Sequence, residues 1–202
     1  MIYYQWSCLK VTFMGITKLH TRSVGYLMSF KKLLRDITGN LLVRKWKSIE
    51  KEDIVSIEDS MLPEVLRIQA EGFKDGCPEK LIRYSKNSKN IFYVMERRNK
   101  IVGYCVYYLK PSLSLKGFEK KSVVSSIATI RSFRGKGFAE KLLRSSIEEM
   151  KVNGISSVLL YVNVNNLPAI QLYKKIGFRK IKQVKNICGQ KERCYEMELR
   201  LA

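Results

Sequence analysis

Arg134-Gly135-Lys136-Gly137-Phe138-Ala139 stands between two segments of opposite periodicity. Before it, Val123-Val124-Ser125-Ser126-Ile127-Ala128-Thr129-Ile130 is β-rich and reads as a strand. After it, Glu140 to Met150 spaces its apolar residues along one helical face. A glycine-bearing turn that opens a helix points free backbone N–H groups outward, and the helix dipole favours negative charge there. Such a turn is built to hold phosphate. Gly135 and Gly137 let the main chain approach a diphosphate with no Cβ in the way, and Arg134 and Lys136 add positive charge. The standard nucleotide motifs do not fit: Gly-x-Gly-x-x-Gly lacks its third glycine, and no Gly-Lys-Ser/Thr follows for a P-loop. The phosphate expected here belongs to another carrier, and a plain structural helix start is the competing reading.

A second segment narrows the choice. Val158 to Val164 reads as a buried strand that runs into Asn165-Asn166-Leu167-Pro168, an Asn cap with proline in the first helical turn. Ala169-Ile170-Gln171-Leu172-Tyr173-Lys174-Lys175-Ile176 continues as a short helix that stops at Gly177-Phe178. The Arg-x-x-Gly-x-Ala turn (Arg134, Gly137, Ala139) and the Asn-x-x-Ala-x-x-x-Tyr-x-x-x-Gly-Phe run, in this order, resemble the GCN5-related N-acetyltransferase family. The resemblance covers roughly Val43 to Leu201 and looks most like protein N-terminal or ribosomal-protein acetyltransferases. It implies an α/β fold (α+β mixed sheet): a central, mostly antiparallel sheet with splayed strands, flanked by helices.

The resemblance also implies a site. Acyl-CoA would fill a wedge between the strand before the phosphate turn and the strand at Val158. Backbone groups of Ile127, Ala128 and Thr129 would pair with the pantetheine arm like a substitute strand. An N–H near Thr129 would polarise the thioester carbonyl. The amides of Arg134, Gly135, Lys136, Gly137, Phe138 and Ala139 would hold the diphosphate. Asn166 would contact the cofactor or serve only as a helix cap. Tyr173 matches the tyrosine that protonates the departing thiolate, with a core aromatic as the alternative. Tyr161 stands where relatives carry an acid or histidine, which leaves the general base unassigned among Tyr161 with an ordered water, Glu71 and Asp75. His20 lies outside the matched region.

Acetyl-CoA is the implied co-substrate, and transfer would be direct, with the amine attacking in a ternary complex and no cysteine nucleophile. A protein or peptide amine leads as acceptor; a small amine or amino sugar is the enzyme rival. A polyamine is disfavoured unless the cleft is locally acidic, and Tyr104, Tyr107 and Tyr108 are candidates to line an acceptor pocket. A non-catalytic protein that senses acetyl-CoA or binds RNA is the rival from another class.

Composition sets the outer bounds. The 202 residues suffice for one domain with a proper core. No apolar run is long enough for a membrane span. Five cysteines without a Cys-x-x-Cys pair and a single histidine make a zinc site or any other metal centre unexpected. The same counts make a disulfide framework unexpected, so the reading is a reduced, cytoplasmic protein. The formal charge of +20 is either a Lys-rich solvated surface or a means of docking on a ribosome or an acidic partner.

Residues 1–40 read as an N-terminal extension, a disordered arm or a start assigned too early with Met28 as the initiator; 41–202 read as the N-acetyltransferase domain. Within that domain the pattern predicts a first strand over Leu41–Ile49, helices over Pro63–Ala70 and Glu79–Tyr84, and a hairpin of Ile91–Glu96 with Ile101–Tyr108. Lys110–Lys121 reads as a charged loop, and two last strands are expected near Ile181–Val184 and Tyr195–Leu201, joined through Gly189.

Overall fold

A computed structural model describes residues 4–5, 42–43, 45–49, 51–73, 77–114, 117–189 and 191–201. Eight strands form one sheet: β1 (Tyr4–Gln5), β2 (Ile54–Ser56), β3 (Phe92–Arg97), β4 (Lys100–Ser114), β5 (Gly117–Thr129), β6 (Ser157–Asn163), β7 (Arg179–Lys185) and β8 (Arg193–Arg200). The order is β2-β3-β4-β5-β6-β8-β7, with β1 set against β5. Every pairing is antiparallel except β5 with β6. Among the described residues four helices of ten or more residues cover the faces: α1 (Leu62–Gly72), α2 (Pro78–Asn87), α3 (Phe138–Val152) and α4 (Leu167–Ile176).

The period-two alternation of the strands divides the core in two. In β3, Phe92 and Val94 join Tyr104 and Val106 of β4 beneath Val65 and Ile68 of α1 and Leu81 of α2. Tyr93 and Met95 point the other way, with Cys105 and Tyr107, against Leu142, Leu143, Ile147 and Met150 of α3 and Tyr173 of α4. Tyr104 and Tyr107 are fully buried. Their hydroxyls bond Ser126 Oγ at 2.9 Å and Ser146 Oγ at 2.6 Å. They are core residues and line no acceptor pocket.

The sequence expectations for α1 to α4, the β3–β4 hairpin and the last two strands agree with these elements. Three differ. Within 41–49, Leu42 and Val43 are helical and Trp46 to Ile49 are irregular; the first strand of the main sheet order comes later, at Ile54. The cause is a tertiary anchor: Trp46 Nε1 and the Ile49 amide donate to Glu149 of α3 at 2.7 and 3.0 Å, which draws the segment onto the helix. Lys110–Lys121 is not a loop, because β4 and β5 continue as a ribbon in which Lys110 faces Lys121 and Pro111 faces Lys120. A ribbon of this kind carries charge on its wet sides, so its pattern resembles a loop. Cys188 and Cys194, finally, are disulfide-bonded across the β7–β8 turn. Asn186 donates its amide to the Glu192 carbonyl at 2.9 Å, folding the turn so that the two Cα atoms lie 6.2 Å apart.

Candidate active site

A single extra residue opens the sheet. Val106 faces Ser126 and Tyr107 faces Val124, so Ser125 is a bulge in β5. A bulge bends its strand and increases local twist. The parallel β5–β6 ladder stops just before it, with Val123 opposite Leu159 as its last pair. Beyond that point β5 runs on to Thr129 and β6 to Asn163 without pairing to each other, which is the expected wedge.

At the far end of β5 the backbone turns into α3. Gly135 and Gly137 hold φ at 74° and 80°, where an L side chain costs about 1–2 kcal/mol. Among the described residues, no acceptor faces the amides of Gly135, Lys136, Gly137, Phe138, Ala139 or Glu140. The amide of Arg134 is different: it donates to the Arg131 carbonyl at 3.2 Å, so the donor run begins one residue later than expected. The Arg134 guanidinium is likewise committed, with Nε on the Thr129 carbonyl at 3.2 Å and Nη2 3.5 Å from Glu71. Lys136 is exposed and lies 5.5 Å over the Phe133 ring, which stacks edge-on with Phe138.

Glu71 has a different place from the one considered for a base. Its carboxylate accepts the Arg131 amide at 2.6 Å and faces Arg134, so it ties α1 to the turn. Asp75 and His20 lie outside the described residues. Gly103 is a further member that sequence reasoning missed: it pairs with Thr129, and a Cβ there would stand 2.9 Å from the Ala128 carbonyl oxygen. Only glycine lets β4 approach the end of β5 so closely.

On the other side of the wedge, Asn166 caps α4, its Oδ1 accepting the Ala169 amide at 3.4 Å. Tyr173 is fully buried and packs edge-on against Phe178, with centroids 5.8 Å apart. Among the described residues its hydroxyl has no hydrogen-bond partner. Burial first, and then the nearby Cys105, push its pKa well above the ordinary phenol range. A lone phenol in such surroundings is costly unless something else uses it. Tyr161 lies on β6 two residues past the last β5–β6 pair. Its pKa is pushed up to about 12, by burial and then by the negative charge of Glu196, which faces it from β8. Cys105 is buried, and burial pushes its thiol up to about 12, so it is no nucleophile at neutral pH.

The edge of β5 inside the wedge is partly taken. Tyr4 pairs with Ile127 and Gln5 with Ser126, and this short β1 lies beside β6 as well. Ile127 and Ala128 are otherwise held by Cys105 and Tyr104 of β4, and Thr129 by Gly103. Among the described residues no cluster of His, Cys, Asp or Glu could hold a metal ion, and no helix is long and apolar enough to cross a membrane.

The model of the acetyltransferase (GNAT) family matches residues 54–178, more than half of the chain. An N-alpha-acetyltransferase of Sulfurisphaera tokodaii is 34% identical over 121 residues, which are 57% of this chain and 72% of that protein. One of Sulfolobus acidocaldarius is 30% identical over 144 residues, 68% of this chain and 86% of that protein. Among solved structures, the ribosomal-protein-S18-alanine N-acetyltransferase from Escherichia coli superposes with a TM-score of 0.61 at 20% identity, covering 74% of this chain and 93% of that one. Arabidopsis thaliana Naa50, in complex with the bisubstrate analogue CoA-Ac-MVNAL, gives 0.63 at 18% identity, covering 73% and 97%. These two likenesses speak to the fold alone. By its sequence and by this architecture, the chain belongs to the acetyltransferase (GNAT) family.

Proposed function

We propose that this chain acetylates the N-terminal amine of a protein or peptide by direct attack on acetyl-CoA in a ternary complex. As a member of its family it is an acetyl-CoA-dependent acyltransferase. The observation that carries the proposal is the run of amides from Gly135 to Glu140 that meet no acceptor among the described residues, at the end of a strand that has parted from its neighbour. Those donors would take the diphosphate, and the thioester would lie along β5 with its carbonyl near Thr129. The choice of acceptor follows the relatives, whose names specify an α-amine.

Within this reading Tyr173 donates a hydrogen bond to the departing sulfur. Its raised pKa keeps the proton on the phenol, so the thiolate is stabilised by the bond and takes its proton from solvent. Asn166 keeps its capping role and faces the cofactor beside it. The Tyr4–Gln5 pair and a pantetheine arm exclude each other at Ile127, so acetyl-CoA displaces the pair when it binds. The cytoplasm is the proposed compartment on the low cysteine count and the absence of a Cys-x-x-Cys pair, and the Cys188–Cys194 disulfide is the observation set against it. The charge of +20 supports a ribosomal or acidic docking partner, although Lys180, Lys182 and Lys185 on the exposed edge strand β7 also block edge-to-edge pairing.

The test is thiol release from acetyl-CoA against N-terminal peptides, lysine peptides, polyamines and aminoglycosides. Turnover with N-terminal peptides is expected. Turnover confined to amino sugars would move the acceptor, and absence of acetyl-CoA binding at micromolar protein would falsify the enzyme reading.

A further inference from the structure

The structure assigns a proton acceptor that no motif pointed to: we propose that Glu196 of β8, acting through the hydroxyl of Tyr161, takes the proton that the acceptor amine loses. This rests on the acyl-transfer reading above and completes it. Of the acids considered from the sequence, Glu71 is engaged by the Arg131 amide and by Arg134, and Asp75 lies outside the described residues. Tyr161 and Glu196 are directly opposed in the β6–β8 register, so their side chains leave the sheet on the same face. An ionised carboxylate can only accept, so a phenol set opposite it in the register has Glu196 as the acceptor for its proton. The pair sits where β6 has separated from β5, on the wall of the wedge.

The surroundings hold the carboxylate in place. Lys182 of β7 lies 3.5 Å from Glu196, whose side chain is 15% exposed. On the same strand face, Glu198 is engaged by Lys121 of β5 at 3.6 Å and by Arg200 at 3.8 Å. Glu196 is therefore the acid of this strip that is turned to the wedge phenol. Among the described residues the carboxylate faces the Tyr161 phenol across the ladder and the Lys182 cation beside it.

The step balances without any other reagent. The amine lone pair forms the C–N bond to the thioester carbon while the carbonyl π pair moves to oxygen. The nitrogen, now cationic, passes a proton to the Tyr161 oxygen as the phenol's own proton passes to Glu196. The oxyanion then re-forms the C=O bond, the C–S bond breaks, and the thiolate leaves. Glu196 returns its proton to solvent, from which the thiolate is protonated. A phenol with a pKa near 12 serves as such a relay because no free tyrosinate accumulates. Glu196 does not touch substrate; it acts through Tyr161.

Steady-state acetylation of a peptide substrate by wild type, E196Q, E196D and Y161F between pH 6 and 10 tests the assignment, with acetyl-CoA affinity and thermal melting measured on each. E196Q keeps an acceptor for the phenol and should fold and bind acetyl-CoA as wild type does. Its kcat should fall about 100-fold at neutral pH, with KM little changed and the deficit narrowing as pH rises and hydroxide takes the proton of the cationic intermediate in its place. E196D should recover part of the loss, and the E196Q/Y161F double variant should be no slower than the worse single one. A wild type that turns over beside an indistinguishable E196Q overturns the assignment alone. A loss that is equal at every pH and comes with weaker acetyl-CoA binding also overturns it, as a structural effect. A wild type that binds acetyl-CoA yet acetylates no amine overturns the acyl-transfer reading and this inference with it.

Discussion

Replacing Glu149 by alanine should destabilise the whole domain, because that buried carboxylate joins the chain before β2 to the core. It accepts Trp46 Nε1 at 2.7 Å, the Tyr93 hydroxyl at 2.8 Å and the Ile49 amide at 3.0 Å, and it is paired with Lys51. Its side chain is 1% exposed and that of Lys51 is 10% exposed. Hydrogen bonds to a charged group are worth about 1.5–3 kcal/mol each, but the four contacts are coupled and do not add. The better guide is removal of one partner from a buried pair, which costs about 3–5 kcal/mol because the other charge is left uncompensated. Lys51 can recover part of that by turning to water, whereas the buried Tyr93 hydroxyl cannot. For a chain of this size about 3–5 kcal/mol corresponds to a fall in Tm of about 6–20 °C. Thermal melting followed by circular dichroism measures it. E149Q, which keeps an acceptor oxygen but loses the ion pair, should fall between wild type and E149A. If E149A melts within about 2 °C of wild type, the Glu149 junction is not what holds residues 46–51 to the domain.

Two further outcomes follow from the site. The Cys105 thiol, raised by burial from 9.0 to about 12, should resist alkylation at pH 8.5 in the folded protein and react at once in denaturant, as mass spectrometry would show. The unfolded thiol ionises first, so its contribution to stability is complete below pH 9 and fades as pH climbs toward 12; labelling of the native chain at the denatured rate would contradict its burial. A chain begun at Met28 lacks Tyr4 and Gln5, whose two-residue pairing is worth about 1–3 kcal/mol at about 0.5–1.5 kcal/mol per hydrogen bond. It should bind acetyl-CoA about tenfold more tightly by calorimetry, and equal affinity would show that β1 does not compete for the wedge.

The local order of the chain is legible along its length because it is set by neighbours in sequence. Gly137 opens α3, Asn166 and Pro168 start α4, Gly177 stops it, and alternation marks β3 and β4. Such signals need only a few consecutive residues, and the two motifs that imply the family are of this kind. What they cannot contain is register. That Ser125 is the residue without a partner depends on how β4 counts against β5, and that bulge is where the sheet parts. Glu196 reads as one more acid in an alternating strand until β8 is laid against β6 and sets it opposite Tyr161. Glu71 reads as one candidate base among three until α1 packs it onto the amide of Arg131. Helix caps and glycine turns are decided within a few bonds, whereas the partner of a carboxylate is decided by residues far along the chain that only folding brings within three or four ångströms.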